Sequence, residues 1–131
     1  MSRPCPCAST KTYAACCEPF LIGRAQPETA EQLMRSRFSA YALGKADYLA
    51  ATTCAEERAK LDIEELGRYV RAVKCITLKV LATEAGGAAD ETGTVTFHAK
   101  LQINGKRMLH REKSRFVREE GRWAYVDGDT N

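Results

Sequence analysis

The spacing of apolar residues changes character near residue 72: upstream they recur at helical intervals, downstream they alternate with polar residues at a period of two. Leu33, Met34, Phe38, Tyr41 and Ala42 form one helical stripe. Thr29 is placed to cap that helix, Gln32 to complete a capping box, Pro27 stands just outside, and Gly44 is the natural stop. Asp47 is positioned to cap a short second helix through Tyr48, Leu49 and Ala50. Asp62 with Glu65 repeats the capping pattern ahead of Ile63, Leu66, Tyr69, Val70 and Val73.

The strands begin with Cys75 to Ala82, where Ile76, Leu78 and Val80 alternate with Thr77 and Lys79 before a turn at Gly86-Gly87. Val95, Phe97, Ala99, Leu101 and Ile103 alternate with polar neighbours in a second, one-sided strand. Asn104-Gly105 predicts a two-residue hairpin, because both turn positions must accept positive φ. A third strand runs from Lys106 to Arg118, and Glu120-Gly121 turns into a fourth from Arg122 to Asp127. Helices followed by an antiparallel meander predict an α+β fold with the helices on one sheet face.

The Asn104-Gly105 turn also predicts a register. Ile103 faces Lys106, so Leu101 faces Met108, Ala99 faces His110, Phe97 faces Glu112 and Val95 faces Ser114. A four-residue loop at the next turn would place Phe116 opposite Trp123, Ser114 opposite Tyr125 and Glu112 opposite Asp127. One sheet face is then expected to gather His110, Glu112, Ser114, Tyr125 and Asp127 among apolar side chains. A carboxylate in such a setting can act as a general acid or base near neutrality. The competing expectation is that Glu112 and Asp127 pair with Arg35, Arg37 or backbone amides and close the space.

Residues 1–24 differ from the rest in holding four of the six cysteines and three of the four prolines. Cys5 and Cys7 form one close pair, and the adjacent Cys16 and Cys17 form another. Two such pairs can surround one divalent ion, and zinc suits four sulfurs in tetrahedral geometry. With all four positions filled by protein, the ion expected is a single structural zinc, not a catalytic one. Cys54 and Cys75 lie outside the cluster and read as buried free thiols.

The 131 residues suffice for one domain with a short appendage. Charge constrains partners little: twenty basic and seventeen acidic residues give +3, and a zinc tetrathiolate, itself about −2, lowers this to about +1. Between Lys100 and Arg122, eight Lys or Arg stand against three acidic residues. That local excess admits contact with ribosomal RNA, although a dedicated nucleic-acid domain is more basic overall, so nucleic acid is not expected as a partner. No apolar run is long enough to span a membrane, and Met1 to Cys7 lacks a secretory apolar core, so the cytoplasm, where thiols stay reduced, is the expected compartment.

Cys5-Pro6-Cys7-Ala8-Ser9-Thr10-Lys11, followed by Tyr13 and Cys16-Cys17, resembles the SEC-C zinc knuckle, a motif also found in the preprotein translocase motor. Leu33-Met34-Arg35-Ser36-Arg37-Phe38-Ser39-Ala40-Tyr41, Asp47-Tyr48-Leu49, Arg115-Phe116, Gly121-Arg122-Trp123 and Asp127-Gly128 extend the resemblance to the bacterial YchJ family. The resemblance implies a SEC-C-type knuckle over residues 1–24 and a nuclear-transport-factor-2-like (cystatin-like) cone over residues 25–131. In such a cone a curved antiparallel sheet wraps on helices, and Arg35, Arg37, Tyr41 and Trp123 join the pocket candidates. The knuckle usually has glycines where Ala8 and Thr10 stand; positive φ there would cost about 1 kcal/mol each. Some family members carry another knuckle at the C-terminus, which the residues up to Asn131 lack, so a function needing two is not expected.

The family brings no established reaction. The first functional reading is a small binding or adaptor protein whose knuckle docks a protein partner and whose cone offers a small-molecule pocket or a homodimer surface. The second is an acid–base enzyme (isomerase, dehydratase or hydrolase) with Glu112 or Asp127 as base and Tyr125 or His110 polarising the substrate.

Overall fold

The structure is a computed structural model that describes residues 3–130. A 3₁₀ turn (Tyr13–Ala15) and the helical turn α1 (Glu18–Leu21) precede helix α2 (Ala30–Leu43). Helices α3 (Ala46–Ala51), α4 (Ala55–Arg58) and α5 (Ile63–Ala72) follow. Strands β1 (Val73–Ala85), β2 (Thr92–Ile103), β3 (Lys106–Glu119) and β4 (Arg122–Thr130) form an antiparallel meander in that order. Among the described residues, no helix is long and apolar enough to cross a membrane.

The helix ends are set by the expected residues with two differences. Thr29 accepts from the Gln32 amide at 3.1 Å, but the Gln32 side chain takes the Glu28 amide, one residue before the cap. Gly44 closes α2 at φ 73°, and Asp62 caps α5 by accepting from the Glu65 amide. Lys45, not Asp47, is the cap of α3; Asp47 lies in its first turn. Helix α4 was not expected, its single turn having too few apolar positions to set a period.

The β2–β3 register is the one that Asn104-Gly105 predicts, with Phe97 opposite Glu112 and Val95 opposite Ser114. The β3–β4 register differs. Glu120 and Gly121 both take positive φ, at 51° and 79°, and make a second two-residue hairpin. Glu119 therefore faces Arg122, Arg118 faces Trp123 and Phe116 faces Tyr125. The ladder then slips by one residue, leaving Val126 as a bulge, and Arg115 faces Asp127. The slip is held from outside the sheet: the Tyr125 amide donates to Thr52 O and the Cys54 amide to Tyr125 O, each at 2.8 Å. The chain after α3 thus covers the β4 edge.

Helix α2 lies on the inner sheet face. Leu33, Met34 and Phe38 pack with Val95, Phe97 and Phe116, each such side chain contributing roughly 1.5–3 kcal/mol on burial. The same cluster includes Cys5, Cys7, Tyr13 and Cys17, so the N-terminal segment shares the core.

Ala8 and Thr10 have φ of 62° and 73°, the region that favours glycine. Ala8→Gly and Thr10→Gly are each expected to stabilise the metal-loaded protein by about 1 kcal/mol. Urea unfolding measures this; an unchanged midpoint for both would show that neither position is strained.

Candidate metal centre and cone cavity

The N-terminal segment doubles back on itself through a bridge between Pro4 and Thr12. The Cys5 amide donates to Lys11 O at 3.0 Å and the Ala8 amide to Cys5 O at 3.2 Å. This closes a tight loop that turns Cys5 and Cys7 toward Cys16 and Cys17, and the two positive-φ residues lie within it. All four sulfurs lie within 4.8 Å of one another. The Cys7–Cys16 and Cys16–Cys17 sulfur separations are 3.6 and 3.9 Å. A tetrahedral ion with metal–sulfur bonds of about 2.3 Å requires sulfur–sulfur edges of about 3.8 Å. The donor set therefore fits a tetrathiolate metal site made of Cys5, Cys7, Cys16 and Cys17, and no other side chain is needed to complete it.

Neighbouring groups suit the negative charge such a site develops. Ser9 Oγ lies 3.1 Å from Cys16 Sγ, and Ser39 Oγ on α2 lies 3.5 Å from Cys5 Sγ. Hydrogen bonding led by Cys17 lowers the Cys7 thiol against the effect of burial, and the same contact with burial raises Cys17. Arg35 donates to Cys7 O at 3.0 Å and to Glu31 at 2.9 Å. Arg35 is therefore a knuckle residue, not the cone residue expected from the sequence. Successive helical residues turn by about 100°, so Arg35 and Arg37 point to different sides of α2.

Behind α2, a cavity of about 240 Å³ remains between the helix, α5 and the sheet. Its walls are mostly apolar and include Met34, Phe38, Phe97, Leu101 and Phe116. Of the expected candidates, Arg37, Tyr41, His110, Glu112, Ser114 and Tyr125 line it. Glu112 is the hub: it accepts from Ser114 Oγ at 2.5 Å and Tyr125 Oη at 2.9 Å, and its other oxygen lies 2.8 Å from His110 Nε2. An acceptor at that distance selects the His110 tautomer with its proton on Nε2. The lone pair on Nδ1 then has no partner among the described residues. Both carboxylate oxygens are engaged, so His110 Nδ1 is the acceptor left open in this group. Burial, helped by the Glu112 charge, pushes the Tyr125 phenol well above its usual range and keeps it a donor.

Two other candidates lie elsewhere. Asp127 is on the outer face, where Arg115 Nε bonds it at 2.5 Å and Arg115 Nη1 reaches Asp129 at 2.8 Å. The Val126 bulge is the reason: without it Asp127 would share the face of Tyr125. Trp123 is buried core, donating from Nε1 to Glu28 O at 3.0 Å beneath the Arg118 guanidinium.

Several residues of the site were not among the pocket candidates the sequence offers. Tyr69 and Cys75 line the cavity, and burial raises the Cys75 thiol to about 11, so it stays neutral. Thr52 and Thr53 hold Arg37 from the far side. Gly128 faces Ser114, and a Cβ there would overlap the Glu112 carboxylate. Gly128→Ala is expected to displace Glu112 and strand its donors, costing about 2 kcal/mol. Urea unfolding reads the loss, and a stability equal to wild type would show that the carboxylate can relax without penalty.

Comparison with known proteins agrees with this layout. A model described as the YchJ middle NTF2-like domain matches residues 29–128, and the SEC-C motif matches residues 1–19. A UPF0225 protein of Geobacter sulfurreducens is 36% identical over 98% of this chain and 80% of its own length. One from Chromobacterium violaceum is 47% identical over 95% of this chain and 90% of its own. The solution structure of a SEC-C motif containing protein from Rhodopseudomonas palustris has a TM-score of 0.87 at 35% identity, covering 97% of this chain and 98% of that one. A crystal structure of a SEC-C motif containing protein from Psychrobacter arcticus has a TM-score of 0.81 at 26% identity, over 97% of this chain and 82% of that one. With the cysteine-rich knuckle, the helix-on-sheet cone and these matches together, the chain belongs to the YchJ family of UPF0225 proteins, a SEC-C motif followed by an NTF2-like domain.

Proposed function

We propose that this chain is a small-molecule-binding protein in which one structural zinc braces the cone from outside. The observation that carries the reading is the cavity, which pairs apolar walls with a fixed polar group at Glu112 and a buried Arg37. Pockets of this kind combine an apolar lining with a few oriented polar groups. Zinc is supported by four thiolate donors at tetrahedral spacing, and a structural role by the sharing of core contacts between Cys5, Cys7, Cys17 and α2. Four cysteines gathered as metal ligands suit a reducing, cytoplasmic setting. Docking of a protein partner on the knuckle has less support: its cysteines face inward, and among the described residues Ile22 is the large apolar residue left exposed beside it.

A fragment screen by NMR tests the pocket. Hits are expected to perturb Phe97, Ala99 and Phe116 together, and shifts confined to the outer sheet face would overturn the reading. Run in deuterium oxide with small carbonyl compounds, the same screen tests acid–base chemistry. Exchange at the carbon next to the carbonyl, lost in His110→Ala, would favour an enzyme with His110 as base and Glu112 orienting it.

Native mass spectrometry is expected to find one zinc per chain, and Cys16→Ser with Cys17→Ser to abolish it. Chelation should destabilise the cone as well as the knuckle by several kcal/mol, out of the ~10–16 kcal/mol seen for isolated zinc peptides. Hydrogen exchange along α2 measures this, and protection unaltered by chelation would detach the metal from the cone.

A further inference from the structure

Arg37 is 8% exposed, yet among the described residues no carboxylate pairs with it. Its Nη1 donates to Leu49 O at 2.9 Å and Thr52 Oγ1 at 2.7 Å, with Thr53 Oγ1 at 3.5 Å. These partners hold one edge of the guanidinium against the segment that follows α3. The flat face stacks on the Tyr125 ring at 4.5 Å. Nε and Nη2 have no partner among the described residues, and no polar side-chain atom there is both sealed and unpartnered. Those two donors therefore reach open space. The Nη1 edge is spent on the side of Leu49 and Thr53, which leaves the cone cavity for Nε and Nη2.

Glu112 cannot serve as the missing anion, since Ser114, Tyr125 and His110 occupy it. Tyr125 stands between the two charges, its ring on Arg37 and its hydroxyl on Glu112. Two parallel N–H donors on one side of a guanidinium match the two oxygens of a carboxylate. The nearby Glu112 charge sets an upper limit on the ligand's own charge: a monoanion is balanced by Arg37, whereas a dianion meets repulsion. The cavity's 240 Å³ corresponds to about eight waters of bulk liquid, which suits an aromatic ring or short aliphatic chain with one acidic arm.

We infer that the cone cavity selects small apolar monocarboxylates, with Arg37 as the residue that reads the carboxylate. This deepens the pocket reading above and rests on it. The test is calorimetric titration of the zinc-loaded full chain with phenylacetate, its neutral amide phenylacetamide, and phenyl phosphate as a dianion at pH 7.5. Phenylacetate is expected to bind at least tenfold more tightly than either of the others, and Ala99→Leu, which fills the cavity, to abolish binding. Arg37→Gln should erase the preference for acid over amide. The acid–amide comparison needs only the wild type, so a folding failure of that variant does not remove the test. Equal binding of acid and amide would overturn the role of Arg37 and leave the pocket reading intact. Absence of binding by all three at millimolar concentration would overturn both.

Discussion

The middle of helix α2 is buried all the way round. Five consecutive residues, Ser36 to Ala40, are shielded from solvent, an arrangement no amphipathic surface helix shows. It requires every neighbour to be supplied: the sheet on one side, the knuckle on another, α3 and α5 on the rest. Ser36, Ser39 and Ala40 keep the helix slim enough for this, and the hydroxyls are satisfied at once. Ser36 donates to Leu33 O and meets Tyr48 Oη at 2.7 Å, while Ser39 faces Cys5 Sγ. The two arginines then divide the work by direction alone. Arg35 fixes the knuckle, and Arg37 puts a cation into the cone.

This also explains why the knuckle is not an ornament on an independent domain. Its cysteines fill space against Phe38 and Tyr13 that would otherwise be open to water. A metal ion held there acts on the cone through a shared wall, with a helix as the partition. The cavity lies across that partition, walled by residues of all four strands as well as α2 and α5. What the pocket admits is thus set by β3 and β4 register on one side and by α2 on the other.

Much of this was legible in the residues, and what was not has identifiable causes. Asn104-Gly105 names its own turn, so the β2–β3 register and the inward set of His110, Glu112 and Ser114 follow from counting. Glu120-Gly121 makes the same turn, but a glutamate at positive φ is too uncommon to announce it. The Val126 bulge is set by hydrogen bonds from residues 52–54, some seventy positions away in sequence, which no local pattern encodes. That one slip moved Asp127 to the outer face. Arg35 was misplaced for a simpler reason: two residues apart on a helix do not share a side. The positive φ of Ala8 and Thr10, in contrast, falls where the resemblance to the knuckle motif raises the question, because that motif usually has glycines there.

Among the described residues, strand β1 pairs only with β2 and leaves thirteen residues at the rim of the sheet. A long straight rim invites other chains to add themselves as strands. Ladder slips between Cys75 and Thr77 and between Val80 and Ala82 interrupt it, so that Ile76 and Leu81 stand out of step. After each slip the free amides and carbonyls lose their even rhythm, and an incoming strand could match only a few at a time. Lys74 and Lys79 add charge along the same stretch. The irregularity that looks like a defect in the ladder thereby makes the open side a poor template for an added strand.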